Sequence, residues 1–201
     1  MADRGHVAVP TESTIRDWDD ADPSGQTYER VLFIDSDFTE LENRGGTFQE
    51  CTFRGVRFNA STHTDAAFVN CTFVRCSLFD ATFTGCKLLG SFFDDCTYNL
   101  LKVSGGDWSF AGLPGEDLRG TEFTGVKFRE ADLTGVRAGK AVLRDLDLSG
   151  ASLHRADFTG ADLRGSDLST LDPLTVELKD ARVDVTQAMV IATSLGLDVR
   201  P

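Results

Sequence analysis

Residues 151–168 read ASLHRADFTGADLRGSDL, and the way that string repeats decides the fold. Ala151-Ser152-Leu153, Ala156-Asp157-Phe158, Ala161-Asp162-Leu163 and Ser166-Asp167-Leu168 each set a small, a polar and a large apolar residue in the same order, five positions apart. The phase extends outward without insertion or deletion, from about Tyr28 to Val183. Its centres are the residues whose numbers end in 3 or 8. From Phe33 to Leu168 there are 28 of them, and all but Asn43, His63 and Ala138 are large and apolar. Of the 15 Phe, 12 lie on this phase, the exceptions being Phe79, Phe92 and Phe110. A period of five fits neither a helix nor an alternating strand, so it marks a repeat architecture.

Two residues before each centre lies a second inward position. Between Val31 and Ser166 it holds Ala, Cys, Ser, Thr, Gly or Val, except at Leu41, Leu101, Glu116 and Leu146. One large and one small residue per five can both point inward only if the chain turns a corner at each repeat. The other positions then face water, and Gly is commonest two residues after the centre (Gly55, Gly85, Gly120, Gly160), where a tight turn needs a positive φ.

The A-D-[LF] runs at Ala131-Asp132-Leu133, Ala156-Asp157-Phe158 and Ala161-Asp162-Leu163 resemble the pentapeptide-repeat family. The resemblance covers roughly residues 18 to 183 and implies an all-β fold, a right-handed quadrilateral parallel β-helix with four pentapeptides per coil. At about 4.8 Å per coil, about eight coils make a rod roughly 38 Å long. The expected division is a flexible N-terminal extension over 1–17, the β-helix over 18–183, and a capping or dimerisation helix with its tail over 184–201. With 20 residues per coil, Leu88, Trp108, Phe128 and Leu148 form one internal ladder, and Asn43, His63, Phe83 and Val103 another. Asn43 and His63 are therefore stacked polar groups, expected to pair with each other, with water or with backbone.

The net charge of −12 argues against direct nucleic-acid binding, which needs a basic footprint, and suits a basic partner surface. The acids do not line one face; all four faces are modestly negative. All five cysteines (Cys51, Cys71, Cys76, Cys86, Cys96) fall on the small inward position, which makes them core thiols; Cys71-x4-Cys76 is no zinc spacing. No apolar run is long enough for a membrane span, and Met1–Pro10 lacks the regions of a signal peptide, so the expected location is cytoplasmic.

Trp18 is on phase and is expected to cover the N-terminal end of the solenoid, with Asp17, Asp19, Asp20 and Asp22 around it. Residues 97–116 keep the phase but weaken the consensus, so a distorted coil or slight bend is expected there; 118–168 should be the most regular half. Asp184 with Gln187 resembles a capping box opening a helix over about 185–195, ended by Gly196. Ala188, Ile191, Ala192 and Leu195 share one helical face, with Met189 beside it. That helix either only caps the last coil or caps it and also forms a two-fold dimer; the number of apolar groups favours the dimer.

His6, His63 and His154 fall in a tail, a core ladder and an outward position, and no catalytic arrangement or phosphate loop is present, so an enzyme and a cofactor are not expected. Within the family the chain is most similar to the MfpA/Qnr group, through its unbroken coils, its ladder cysteines and the ARVDVTQAM tail before the apolar helix. That resemblance implies a homodimer joined at the C-terminal end, a DNA mimic that binds DNA gyrase and protects it from fluoroquinolone-type poisons or, beside a natural-product cluster, from a natural-product poison. Asp132, Asp147, Asp157, Asp162 and Asp167 are the candidate phosphate-mimicking acids, chosen by position, and Ala188, Met189, Ile191, Ala192 and Leu195 the candidate dimer interface. The projecting loops of Qnr proteins are missing. The alternative is a non-catalytic scaffold for another protein partner.

Overall fold

The computed structural model describes residues 11–16, 18 and 22–200. It is a parallel β-solenoid whose neighbours in space are 20 residues apart in sequence. The longest sheet joins Glu42–Arg44, Thr62–Thr64, Thr82–Thr84, Lys102–Ser104, Glu122–Thr124 and Val142–Arg144, all parallel. Two further rungs, at Asp162 and Arg182, extend that ladder as single bridges. The expected coils are thus six with paired strands on this face and two held by bridges. A second sheet runs Ser13–Ile15, Val31–Ile34, Thr52–Arg54, Thr72–Val74, Phe92–Asp94, and a third Thr27–Glu29, Thr47–Gln49, Ala67–Val69. The fourth side is held by bridges alone, such as Asp37–Arg57 and Arg137–Asp157.

The solenoid starts earlier than the sequence suggests. Ser13–Ile15 lies inside the expected flexible extension, yet it pairs with Val31–Phe33. Ser13 faces Val31, an offset of 18, so this first coil is off the five-residue phase and is invisible to it. Residues 1–10 and 17 of that extension, and Asp17, Asp19 and Asp20 beside Trp18, lie outside the described residues. Trp18 itself covers the end of the core, with ring centroids 5.9, 5.8 and 4.7 Å from Tyr28, Phe33 and Phe38.

The corners repeat without a gap. Every fifth residue from Gly25 to Gly165 has a positive φ, and so has Asp180, whereas Thr170 and Thr175 do not. Seventeen of these corners are not Gly. The pentapeptide 157–161 shows why the turn holds. Asp157 N–H donates to Val136 O (2.9 Å), Phe158 N–H to Glu177 O (2.9 Å), and Gly160 N–H to Lys179 O (2.8 Å). Ala161 N–H closes the turn on Phe158 O (2.9 Å). The remaining donor, Thr159 N–H, points away from the ladder and meets the Asp157 carboxylate at 2.9 Å. All five N–H groups are satisfied, as a buried backbone requires.

Aromatic rings stack along the N-terminal half. Phe33, Phe53, Phe73 and Phe93 lie 4.9, 4.9 and 4.6 Å apart, each pair within 13° of parallel. These separations match the spacing of neighbouring strands, so each ring packs flat on the one below. Strand pairing concentrates in this half, and only Glu122–Thr124 and Val142–Arg144 are strands beyond Ser104. The expectation that 118–168 is the more regular half holds for its corners and fails for its strands. There Asp replaces the Thr that precedes many N-terminal centres, and its carboxylate folds the segment into a turn. Residues 97–116 stay in register through Lys87–Asp107–Lys127 and Phe92–Gly112–Asp132, but on the fourth side Ser77–Thr97 and Asp117–Arg137 are bridged while Thr97–Asp117 is not, so the expected distortion lies there.

The C-terminal helix spans Val185–Ser194 with the expected capping box: Asp184 accepts Gln187 N–H at 2.9 Å and the Gln187 side chain accepts Asp184 N–H at 2.8 Å. Gly196, at φ +81, follows its end.

Candidate functional site

The five candidate acids share a turn role and no common surface. In each, Oδ1 accepts the N–H two residues on: Thr134, Ser149, Thr159, Arg164 and Ser169. That is an Asx turn, the local reason the repeat favours Asp there. The ladders place them apart. Asp132 continues the Phe92–Gly112 row, Asp147 the Asp107–Lys127 row, Asp157 the Asp117–Arg137 row and Asp162 the Glu122–Val142 row. Only Asp167, one coil beyond Asp147 and tied by its N–H to Leu146 O, shares a face with another of the five.

Cations pair with two of them. Arg164 grips Asp162 through Nε (2.8 Å) and Nη2 (2.6 Å), which holds that carboxyl down to about 2. Asp147 accepts from Ser149 Oγ at 2.6 Å and from Arg129 Nε, and both hold it below the usual carboxylate range. Asp157 is held low by Thr159, with Arg119 adding to the effect. All three carboxylates are ionised at neutral pH, and those of Asp147 and Asp162 are offset by their Arg partners.

The helix end is a different surface. Of the candidate interface residues, Ala188, Met189 and Leu195 are exposed, while Ile191 and Ala192 are half-buried, with Ile191 packed on the core of its own chain. Val185 and Leu197 extend the exposed apolar area, and across the irregular last coil Leu174 is 80% exposed. Gln187 is the buried helical residue. Its Nε2 donates to Leu163 O and Ser166 O, both at 2.7 Å, so one side chain closes the carbonyl edge of the solenoid. The sequence signalled this residue only as half of a capping box.

The cysteines are free, buried thiols that donate to backbone, as in Cys71 Sγ to Phe48 O at 3.3 Å and Cys86 Sγ to His63 O at 3.3 Å. Burial pushes the Cys71 thiol up and the Cys86 thiol to about 11, which leaves both as poor nucleophiles. Among the described residues no cluster of His, Cys, Asp or Glu is arranged to hold a metal ion. No helix of theirs is long and apolar enough to cross a membrane.

A solenoid of five-residue corners with inward large and small positions is the class this geometry defines. The family model for pentapeptide repeats matches residues 109–137 and 131–169 in eight copies, and the phase matched there runs unchanged back to Gly25. Residues 109–169 are identified as pentapeptide repeats, and the rest of the solenoid follows the same fold. The SV2A/B/C luminal domain model also matches, over residues 23–98. Among curated proteins none matches. Solved structures similar to this chain include trypsin-treated QnrB1, a plasmid-mediated fluoroquinolone resistance protein. It is 20% identical over 94% of this chain and 98% of its own, with a TM-score of 0.40. HetL, involved in heterocyst differentiation regulation in the cyanobacterium Nostoc sp. strain PCC 7120, is 19% identical over 86% of both chains, TM-score 0.45. A pentapeptide repeat protein of the Arabidopsis thaliana thylakoid lumen is 20% identical over 89% of both, TM-score 0.29.

Proposed function

We propose that the chain is a cytoplasmic, non-catalytic rod that binds DNA gyrase in place of DNA and protects it from fluoroquinolone-type or natural-product poisons. The observation that carries this reading is an unbroken solenoid with net charge −12 and an exposed apolar helix at one end. Two copies joined there would double the length of the acidic rod. The sequence resemblance to the MfpA/Qnr group supplies the partner.

One observation favours the second reading, a scaffold for a different protein. The five candidate acids are spread over all four sides, and Asp147 and Asp162 are paired with Arg129 and Arg164, so they form no continuous row of unpaired carboxylates on one side.

The test is gyrase supercoiling over a titration of the purified protein, with and without ciprofloxacin. Rescue of supercoiling, or loss of drug-trapped cleavage, supports gyrase binding; no effect on a gyrase from a matched host leaves the scaffold. Charge is tested with Asp132→Asn and Asp167→Asn, since Asn keeps the Asx-turn acceptor while removing the charge. Unchanged protection by both would remove phosphate mimicry at those positions.

A further inference from the structure

Residues 97–116 keep the register but concentrate the unfavourable features of the core. Four buried side-chain polar atoms lack a hydrogen-bond partner among the described residues, and two of them are Tyr98 Oη and Trp108 Nε1. Trp108 Nε1 is a donor taken from water without replacement, and Tyr98 Oη faces the Glu116 carboxylate without reaching hydrogen-bond geometry. Glu116 is 7% exposed in a column whose nearest rungs are Cys76, Cys96, Val136 and Ala156. Its carboxylate accepts Asp95 N–H at 2.9 Å and Cys96 N–H at 3.2 Å, yet burial still raises its pKa above the usual carboxylate value, against the opposing effects of Tyr98 and these two N–H groups.

The backbone of the same coil carries two further costs. Gly106 occupies an inward position that Cys86 and Val126 fill with side chains one coil to either side. At φ +93, a Cβ there would lie 2.1 Å from the Cys86 carbonyl oxygen, so this rung has no side chain to pack. Leu100 (φ +63) and Phe110 (φ +60) are the large apolar residues among the left-handed corners, and about half of each is exposed (52% and 50%). Elsewhere those corners carry Gly, Asp, Asn and other polar residues or Ala.

In a solenoid each coil touches only its neighbours, so stability is a sum over coils and their contacts, and the poorest coil opens first. We propose that residues 98–116 form a weak joint, where the rod opens locally while the aromatic coils before it and the Leu/Ala coils after it stay folded. The ladder holds on the other sides of this coil and is open on the fourth, where no bridge joins Thr97 to Asp117 although Ser77–Thr97 and Asp117–Arg137 are bridged. Such a joint lets a bound rod bend against a partner at one place. It rests on the coil alone and does not depend on which partner that is.

Hydrogen–deuterium exchange of the full chain, read by mass spectrometry, tests it. Peptides spanning 98–116 are expected to exchange about tenfold faster than peptides spanning 62–93 and 123–153. Two variants should slow them toward the flanks: Glu116→Val, matching Val136 in the same column, and Leu100→Asn, matching Asn70 at the equivalent corner position. Leu100→Asn changes only a surface side chain, so it gives a reading even if Glu116→Val fails to fold. Equal protection of 98–116 and both flanks in the natural sequence overturns the joint. Fast exchange that neither variant slows overturns it as well.

Discussion

Asn43 and His63 hydrogen-bond to each other across one coil inside the core, Asn43 Nδ2 to His63 Nδ1 at 3.2 Å. The rest of the network fixes their roles. Ser61 Oγ donates its proton to Phe58 O at 2.7 Å, so at 3.0 Å from His63 Nε2 it must accept. We therefore assign the proton to Nε2, which leaves Nδ1 to accept from the Asn43 amide. Asn43 Oδ1 in turn accepts Gly46 N–H at 3.1 Å. The imidazole also stacks on Phe83, with centroids 4.5 Å apart. Two polar residues in an apolar column thus satisfy each other.

That arrangement makes the protein acid-sensitive. Burial pushes the His63 pKa down to about 3. The unfolded chain takes up this proton near pH 6.5 while the folded chain resists it, so stability is lost as pH falls from about 6.5 toward 3. The loss attributable to this group approaches about 1.4 kcal/mol per pH unit within the window. Melting temperatures measured from pH 7 to 4 should fall more steeply for the natural sequence than for the double variant Asn43→Leu/His63→Phe. Parallel curves would show that His63 is not the titrating group; comparison of the two chains cancels the carboxylates, which titrate in both.

Gln187 joins the helix to the solenoid, and its substitutions separate two roles. Gln187→Ala removes the donors to Leu163 O and Ser166 O and the reciprocal half of the capping box, at a cost of about 2–3 kcal/mol. Gln187→Glu keeps the acceptor toward Asp184 N–H but faces a carboxylate with two carbonyl oxygens, and should cost at least as much. Urea midpoints at pH 7 check both. A Glu variant as stable as the natural chain would mean that the edge of the last coil needs no donor.

How far the sequence was legible follows from which forces are local. The corner phase, the inward ladders and the Asn43–His63 pair were readable because a five-residue period fixes which residue stacks on which. Ser13–Ile15 was not, because its offset of 18 leaves the period while the pairing is still made through backbone. The acids were readable as outward and as spread over all four faces, but not as tied down in turns. Outward direction follows from phase; the Asp157–Thr159 turn follows from a backbone donor left over by the corner. Gln187 was legible as a cap to its own helix, whereas its bonds to Leu163 O and Ser166 O depend on where the helix docks.

Ala138 is the one small residue among the centres, and it leaves space. An enclosed apolar cavity of about 20 Å³ is lined by Ala138 together with Leu118 and Phe158, its ladder neighbours, and by Phe123, Leu143 and Leu148. Ala138→Val should fill part of it and stabilise the protein by about 0.5–1 kcal/mol. Ala138→Phe, in contrast, should overpack the column and destabilise it. Differential scanning calorimetry distinguishes the two. A lower melting temperature for Ala138→Val would mean that the surrounding side chains have already closed on the site.

The exposed helix face leads to a prediction about association. In the isolated chain Met189 and Leu195 stand about half exposed (50% and 48%) beside Val185 and Leu197, an apolar area that a two-fold partner would cover with the same residues. Ile191 is the poorer probe, because it packs against its own core and Ile191→Asp would damage the fold as well as the contact. Met189→Asp and Leu195→Asp touch only the outer face. The natural chain is expected to show the mass of a dimer by light scattering, and each variant that of a monomer with a melting temperature lowered by no more than the loss of the partner explains. A monomeric natural chain at tens of micromolar, or variants that still dimerise, would remove the helix from the interface and with it the doubled rod.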